Sequence, residues 1–498
     1  MSSLTVDGAF GLDRYRELWA SPRLPRLFGR SVLLAGLATF GALGLGVPLG
    51  ILCGKTDLPG RRWFATGFTL PLLLPPYFLA LGWFGLVGRE GWLARFLPVS
   101  VARALSGWLF GLPGCAVTLA TVFLPLIMLL TMTLLQNIHP RLEEAARLYA
   151  SWPNVLFRIT LPAILHGVAF GGLLVFLFAL GELSVPMFLR FEVYPLEILT
   201  QFAAFYDFDA ATAAAAPLAL VVGLLLVADS HWRRRLVPDS RPTGVPLAIH
   251  LGARKRLWMI GVSGLLLTLV VLPLGALLLH PTLADFAEAW HRAGDALGRS
   301  LLYAALSASL LTLFGVFLGL LWRERSRGAV LAEFTALLLL ILPGSVLGIA
   351  LIGLWNRPAT VWLYASPGLL LMGYLIQYAV LPGGIVRDAL TRLPPALEQA
   401  AAIAGAGWWR RLAGIVLPLI RRGLITAWLV AYLFCLRDSG LAMLVYPPGE
   451  DTLPVRIFTL MANSPFGLVA ALCALLVAAA LPPLAAIAWL SRGRAGTA

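Results

Sequence analysis

Charge is what this sequence has least of. Aspartate, glutamate, lysine and arginine make up 12% of the 498 residues, whereas hydrophobic residues make up 59% and the mean hydropathy is +0.86. So little charge cannot coat a water-soluble protein of this length, and that class is excluded. Cysteine is scarce as well. Cys53, Cys115, Cys435 and Cys473 stand in apolar runs with no CxxC spacing, which argues against redox or metal work and for small buried hydrophobes. The six histidines have no carboxylates or thiols clustered beside them, so neither a metal site nor a catalytic set is legible. Acidic residues are outnumbered, 24 against 38, giving a formal net charge of +14. Aromatic-basic patches of the kind that bind nucleic acid are missing, and the cations fall between apolar runs instead.

A phosphate-binding loop is missing too, although one stretch imitates it. In "GILCGKT" (50–56) three residues separate Gly50 from Gly54, one fewer than G-x-x-x-x-G-K-[ST] demands, and the first glycine position is held by Leu49. A P-loop also needs a strand before it, yet residues 31–54 form an uncharged run long enough to cross a bilayer as a helix. Lys55 therefore reads as a membrane-edge cation closing a span. ATP chemistry belongs elsewhere.

Apolar stretches recur at 31–54, 63–88, 109–137, 163–190, 210–228, 257–279, 300–322, 334–356, 368–386, 423–446 and 467–490, which makes about eleven helices. The chain is an all-α polytopic membrane protein. Lys55, Arg61 and Arg62; Arg141, Arg147 and Arg158; the segment 231–256; Arg323, Arg325 and Arg327; and Arg410, Arg411, Arg421 and Arg422 all fall on one side, the cytoplasm. Alternation then leaves the N-terminal tail outside and "SRGRAGTA" inside.

The sequence is duplicated. "GRS" at 29–31 recurs at 298–300, "LLP" ending at Pro75 matches "ILP" ending at Pro343, and "TLP" ending at Pro162 matches "VLP" ending at Pro418. The basic segment 231–256, with Pro238, Pro242 and Pro246, is the longest polar stretch between spans and divides a first domain, 1–230, from a second, 257–498. The second half begins with a span, 257–279, that has no counterpart in the first. A twelfth helix is expected if this start lacks one; Met1 to Arg30 contains no apolar core of a signal peptide.

Each half carries one amphipathic cytoplasmic loop, "HPRLEEAARLYASWPNVLFRITLP" (139–162) and "LPPALEQAAAIAGAGWWRRLAGIVLP" (393–418). Pro140 and Pro395 suit the start of a short helix, Glu143, Glu144 and Glu398 sit in its first turns where the helix dipole favours carboxylates, and the alanines permit close approach of a partner. These loops resemble the EAA loop of bacterial ABC importer membrane subunits, in which E-A-A-x-x-x-G is followed about a dozen residues later by an apolar-x-L-P. The resemblance covers essentially the whole chain and is closest to the fused-permease branch that includes iron(III), thiamine and related binding-protein-dependent systems. Glu144, Ala145 and Ala146 match the motif in the first copy, with Ala150 at the glycine position; Ala400, Ala401 and Gly405 match in the second, with Gln399 in place of the first glutamate.

The resemblance implies a type I ABC importer transmembrane fold in the bacterial inner membrane, with the two loops docking two copies of an ATPase subunit. It also implies an extracytoplasmic substrate-binding protein as partner, the outer segments 191–208 and 447–466 helping to form its landing surface. The chain itself is then no enzyme and binds no cofactor; ATP and Mg are used by the partner ATPase. Iron(III) is the first cargo implied, with thiamine, polyamine or another small ion as alternatives.

Glu182 lies 20 residues after Pro162, and Asp438 lies 20 after Pro418, so the duplication repeats a carboxylate at one depth, about two-thirds of the way up each helix. Ionisable groups at such depth are costly and usually face an internal cavity. One reading places Glu182 with Ser184, and Asp438 with Ser439, beside the translocation path. The other has them anchor irregular backbone at "ELSVP" and "RDSG". A secondary transporter could also show duplicated halves and buried carboxylates, but it has no use for paired EAA loops. On the pathway reading, Glu182→Gln combined with Asp438→Asn lowers solute uptake into proteoliposomes; unchanged uptake rejects it.

Overall fold

The computed structural model describes residues 5–6, 9–10, 22–89, 91–205, 208–233, 248–324 and 326–492. Most of the basic linker with its three prolines, Arg325, and the tail from 493 onward lie outside the described residues. Within them the chain is helical apart from turns, an isolated bridge, and one antiparallel pair of two-residue strands, Thr5–Val6 with Ala9–Phe10. Seven helices are long and apolar enough to cross a bilayer, or up to eleven if each sharply bent pair is one span. The architecture is that of an all-α polytopic membrane protein.

Two compact units form, Met1–Pro281 and Thr282–Ala498. The first contains α1 (Arg23–Lys55), α2 (Arg61–Leu73), α3 (Pro76–Val87), α4 (Val99–Leu109), α5 (Leu112–Gln136), α6 (Pro140–Arg147), α7 (Leu161–Leu180), α8 (Ser184–Phe188), α9 (Tyr194–Ala203), α10 (Phe208–Arg233), α11 (Lys255–Leu266) and α12 (Leu272–Leu278). Its centre is α1 packed along α5 and α7. The buried stripe of α1 runs Leu34, Ala38, Ala42, Gly46, Gly50 at four-residue spacing, small enough for backbones to come close. A Cβ on Gly50 would lie 2.6 Å from the Cβ of Thr131 and 2.9 Å from the carbonyl oxygen of Met128. The glycines that imitated a phosphate loop are thus a helix-packing surface.

The second unit contains α13 (Leu283–Arg323), α14 (Arg327–Ile341), α15 (Gly344–Trp355), α16 (Pro367–Tyr378), α17 (Val380–Thr391), α18 (Pro395–Ile403), α19 (Arg421–Arg437), α20 (Ala442–Val445), α21 (Leu453–Leu460) and α22 (Phe466–Arg492). Here α13 takes the central place, packed on α17, α19 and α22. Gly315 and Gly319 meet Pro382 and Val386, as Gly46 and Gly50 meet α5 in the first unit. With 41 residues α13 is about 60 Å long, roughly twice the hydrocarbon thickness, so the apolar run 300–322 is only its inner part. Thr282 starts it with a capping box: its hydroxyl accepts from the Asp285 N–H, and the Asp285 carboxylate accepts from the Thr282 N–H at 2.8 Å.

Several runs read as single spans are broken. The helices 61–73 and 76–87 meet at 103°, and 327–341 and 344–355 meet at 106°. Proline causes both breaks. Leu74 and Leu342, each ahead of a proline that cannot follow an α-helical residue comfortably, take up extended ψ values of 157° and 133°. The repeated "LLP" and "ILP" therefore mark corners.

One assignment differs from the division at the basic linker. The span 257–279, placed with the second domain by sequence, packs through α12 against α3 and through α11 against α2, inside the first unit. Polarity marked where the chain leaves the membrane, whereas packing follows the apolar face. Gly82 of α3 makes room, since a Cβ there would stand 2.5 Å from the Pro273 carbonyl oxygen.

Glycine at the α1 stripe is a packing requirement. Gly50→Ala is expected to destabilise the detergent-solubilised protein by about 1–3 kcal/mol through overpacking, whereas Gly44→Ala, which meets nothing within 4 Å, leaves the thermal midpoint unchanged or raised. Thermal unfolding of the two variants, side by side, checks the contrast.

Candidate functional site

The short helix α6 begins with Pro140, and the His139 ring nitrogen accepts from the Arg141 N–H. One turn on, Glu143 points inward. Its Oε2 meets Lys55 Nζ at 2.6 Å and its Oε1 accepts from the Thr160 hydroxyl at 2.7 Å, with the lysine 3% and the glutamate 1% exposed. Lys55 is therefore buried in an ion pair, where the sequence suggested a cation at the membrane edge. Two charges removed from water hold together only when their remaining hydrogen-bonding capacity is met, and removing one of them typically costs about 3–5 kcal/mol. The hydroxyl of Thr160 supplies part of that here.

With Glu143 and Pro140 turned in, α6 presents Leu142, Glu144, Ala145 and Arg147 outward. Glu144 and Ala145 are exposed, Ala146 and Ala150 are half-buried, and Leu148 is 80% exposed. The carbonyl of Ala150 accepts from the Arg147 guanidinium at 2.7 Å.

In the second unit α18 repeats this arrangement with a looser tie. Glu398 Oε1 accepts from Arg323 Nη1 at 2.6 Å, but the two side chains are 28% and 26% exposed. Gln399 and Ala400 are exposed, Ala401 is half-buried, and Ile403, four residues after Gln399 as Leu148 is after Glu144, is 89% exposed. The helix ends on Gly405 in the left-handed region, φ +79°, and the Ala406 N–H reaches back to the Ala401 carbonyl at 3.0 Å. Ala150 turns its chain without a positive φ, so the two copies end differently. Both loops re-enter the membrane through a wide π-turn, Leu156–Thr160 and Leu412–Val416, directly before Leu-Pro. A widened turn accommodates a proline ring that would strain a regular helix.

The paired carboxylates sit where the rising helices stop. Glu182, half-buried, accepts from the backbone N–H of Ser184 at 2.9 Å and closely from its hydroxyl, Ser184 itself being buried at the start of α8. Asp438 is buried; it accepts from the Tyr378 hydroxyl at 2.7 Å and from the Ala442 N–H at 2.9 Å, so it caps α20. Ser439 is half-buried and its carbonyl accepts from the Met443 N–H. In this conformation both carboxylates serve the broken backbone.

Toward the outer side, the repeated GRS acquires a structural meaning that repetition alone did not supply. The Ser31 hydroxyl accepts from the Tyr194 N–H at the first residue of α9, and the Ser300 hydroxyl accepts from the Leu453 N–H at the first residue of α21, both at 2.7 Å. Arg30 pairs with Glu192, and Arg299 with Asp295 and Asp451. Each outer helix is thereby pinned to the long helix of its own half. Residues 206 and 207 of the first outer segment lie outside the described residues.

A further contact joins the end of the linker to the end of α1. The Asp57 N–H donates to the Ile249 carbonyl at 3.2 Å, the Ile249 N–H donates to the Lys55 carbonyl at 2.8 Å, and the Asp57 carboxylate takes the Leu251 N–H at 2.9 Å and Lys255 Nζ at 3.2 Å. The strap 249–255 thus grips the residues that carry Lys55. No group of three or more histidine, cysteine or acidic residues could hold a metal among the described residues, and all four cysteines are buried.

Helical spans, broken at matched prolines and repeated around two short loop helices, define a multi-pass membrane protein. Residues 46–238 match the family described as binding-protein-dependent transport system inner membrane component. The chain belongs to that family of inner-membrane ABC permeases. It is similar to the ferric transport system permease protein FbpB of Actinobacillus pleuropneumoniae, 22% identical over 86% of this chain and 66% of the relative, just under two-thirds of that protein's length. It is also similar to the Fe(3+)-transport system permease protein FbpB 2 of Haemophilus influenzae, 22% identical over 90% of this chain and 86% of the relative. A third relative, the probable molybdenum ABC transporter permease protein HVO_B0370 of Haloferax volcanii, is 31% identical over 39% of this chain and 68% of the relative.

The strap has a defined response to acid. The backbone N–H of Leu251, more than the Lys255 ammonium, holds the Asp57 carboxyl down at about 2 from its usual 3.8, with His250 adding to the effect and partial desolvation opposing it. A depressed carboxyl contributes stability that is complete above the unfolded value and lost as pH falls from about 3.8 through about 2. Limited proteolysis at 248–255 is expected to stay slow at neutral pH in the wild type and to quicken there in Asp57→Asn. Equal rates in both would show that the carboxylate does not hold the strap.

Proposed function

We propose that this chain is the membrane permease of an ATP-driven importer that takes a small solute from an extracytoplasmic binding protein, with iron(III) as the cargo. The observation that carries the reading is the repeated loop helix, which in each half ties one glutamate to the end of the long helix and leaves small and apolar residues exposed. Leu148 and Ile403 are four-fifths exposed or more, at matching positions. An apolar residue held out from a tied helix, flanked by Ala145 and Ala146 or by Ala400 and Ala401, suits a groove on a cytosolic partner.

On this reading the partners at the two loops are two copies of an ABC ATPase subunit. They bind ATP and Mg and hydrolyse the nucleotide, while Glu143, Glu144 and Ala150, with Glu398, Gln399 and Gly405, shape the coupling elements of this chain. ATP-driven movement of the ATPase pair pushes α6 and α18, and the motion passes to α7 and α19 through the π-turns. Glu182, Ser184, Asp438 and Ser439 stand at the upper ends of these helices, where a change of tilt would be largest and where a cation in transit could exchange the capped backbone for its own charge. The outer helices α9 and α21, pinned by Ser31 and Ser300, form the ground on which the binding protein lands.

Iron(III) is favoured over thiamine and polyamine because the relatives that align with nearly all of the chain are named for ferric transport, whereas the molybdenum relative aligns with 39% of it. Hard oxygen donors such as Glu182 and Asp438 are also compatible with a ferric cargo.

The test is reconstitution of the chain with its ATPase and binding protein in lipid. Iron-loaded binding protein is expected to stimulate ATP hydrolysis and iron uptake, and Leu148→Asp with Ile403→Asp to reduce stimulation about tenfold or more by breaking both docking faces. Uptake that persists without any ATPase, driven by an ion gradient, would replace this reading with a secondary transporter. Stimulation by thiamine-loaded and not iron-loaded binding protein would change the cargo alone.

A further inference from the structure

Each half makes the same mechanical tie from a different sequence position. Lys55 follows Ser31 by 24 residues and Arg323 follows Ser300 by 23, so the two cations leave their long helices about 100° apart in rotation, yet each reaches the glutamate in the first turn of its own cytoplasmic helix. A contact recovered after a change of register is a contact the geometry of the loop calls for. The two ties differ in how they are held. The first is buried and its second carboxylate oxygen is taken by Thr160; the second is open to water, and the residue in the place of Thr160, at the end of the matching π-turn, is Val416, which has no hydroxyl to offer.

We infer that Lys55 and Arg323 are positioning residues that set the angle of α6 and α18, and that the tie in the first half is permanent while the tie in the second is a breakable latch. This rests on the reading of α6 and α18 as the elements that receive force from the ATPase. A pair without access to water keeps its full electrostatic attraction and cannot be opened by exchanging one partner for solvent, because both ions would be stranded. A pair with a quarter of each side chain in water has that exchange at hand, and salt screens it. Helix α18 is therefore the coupling element that swings, and α6 moves only with its unit.

Spin labels test the ties on the chain alone, in nanodiscs, because the native cysteines are buried and labels react at introduced sites. Pairs at Pro59→Cys with Ala145→Cys, and at Glu324→Cys with Ala402→Cys, report each helix against the end of its long helix. High salt and Arg323→Met are expected to broaden the second distance distribution and leave the first unchanged, and Arg323→Glu with Glu398→Arg to restore the narrow one. A response of both pairs to salt, or of neither pair to salt and Arg323→Met, overturns the proposal.

In the reconstituted complex, Arg323→Met is expected to lower solute moved per ATP roughly fivefold or more while the ATPase still co-purifies, with recovery in the charge-swapped variant. Loss that the swap does not recover would overturn the positioning role. If the wild-type chain binds no ATPase, the coupling reading fails, and the distance measurement reports on the latch independently.

Discussion

A bilayer offers no water to a broken helix, and this chain breaks its helices repeatedly. Every other feature has to accommodate that fact. Where α7 stops, Glu182 accepts the N–H of Ser184; where α19 stops, Asp438 accepts the N–H of Ala442 and the hydroxyl of Tyr378. At Leu74 and Leu342 the break comes ahead of proline, which has no N–H to leave unsatisfied. The scarce acidic residues of the membrane interior are thus spent where backbone has lost its own partners.

The duplicated halves have kept a plan while changing its execution. Both pack a small-residue stripe of a long helix against the helix that precedes the cytoplasmic loop, both pin an outer helix with a serine, and both tie the loop with an ion pair. They differ in helix endings, in the depth of the ion pair, and in the surroundings of the upper carboxylate, half-open at Glu182 and enclosed at Asp438. Such divergence is expected once two copies sit in one chain, since neither has to satisfy the symmetry that identical subunits impose.

Much of this was legible in the sequence because the bilayer simplifies the code. Apolar runs placed the spans, and paired motifs revealed the two loops and the two carboxylates. What stayed hidden depended on direction. Nothing in "GILCGKT" says that Lys55 turns inward to Glu143, since a charge at the end of an apolar run has the same signature whether it faces a headgroup or a partner 88 residues away. A clue was present in each half, a cation closing the long helix and a glutamate opening the loop helix, but pairing them requires the fold. The same holds for 257–279. Composition marked its start at a polar linker, whereas its allegiance is set by Gly82 and Pro273, whose close approach leaves no trace in hydropathy.

That allegiance alters what the basic linker is for. Helices α11 and α12 follow the basic linker in sequence and bury their face on α2 and α3, inside the first unit. A break within the basic linker would leave that face still held by α3 and by the strap at Asp57. The apolar face that follows the linker and the strap at Asp57 thus hold the first unit together across the polar stretch that interrupts it.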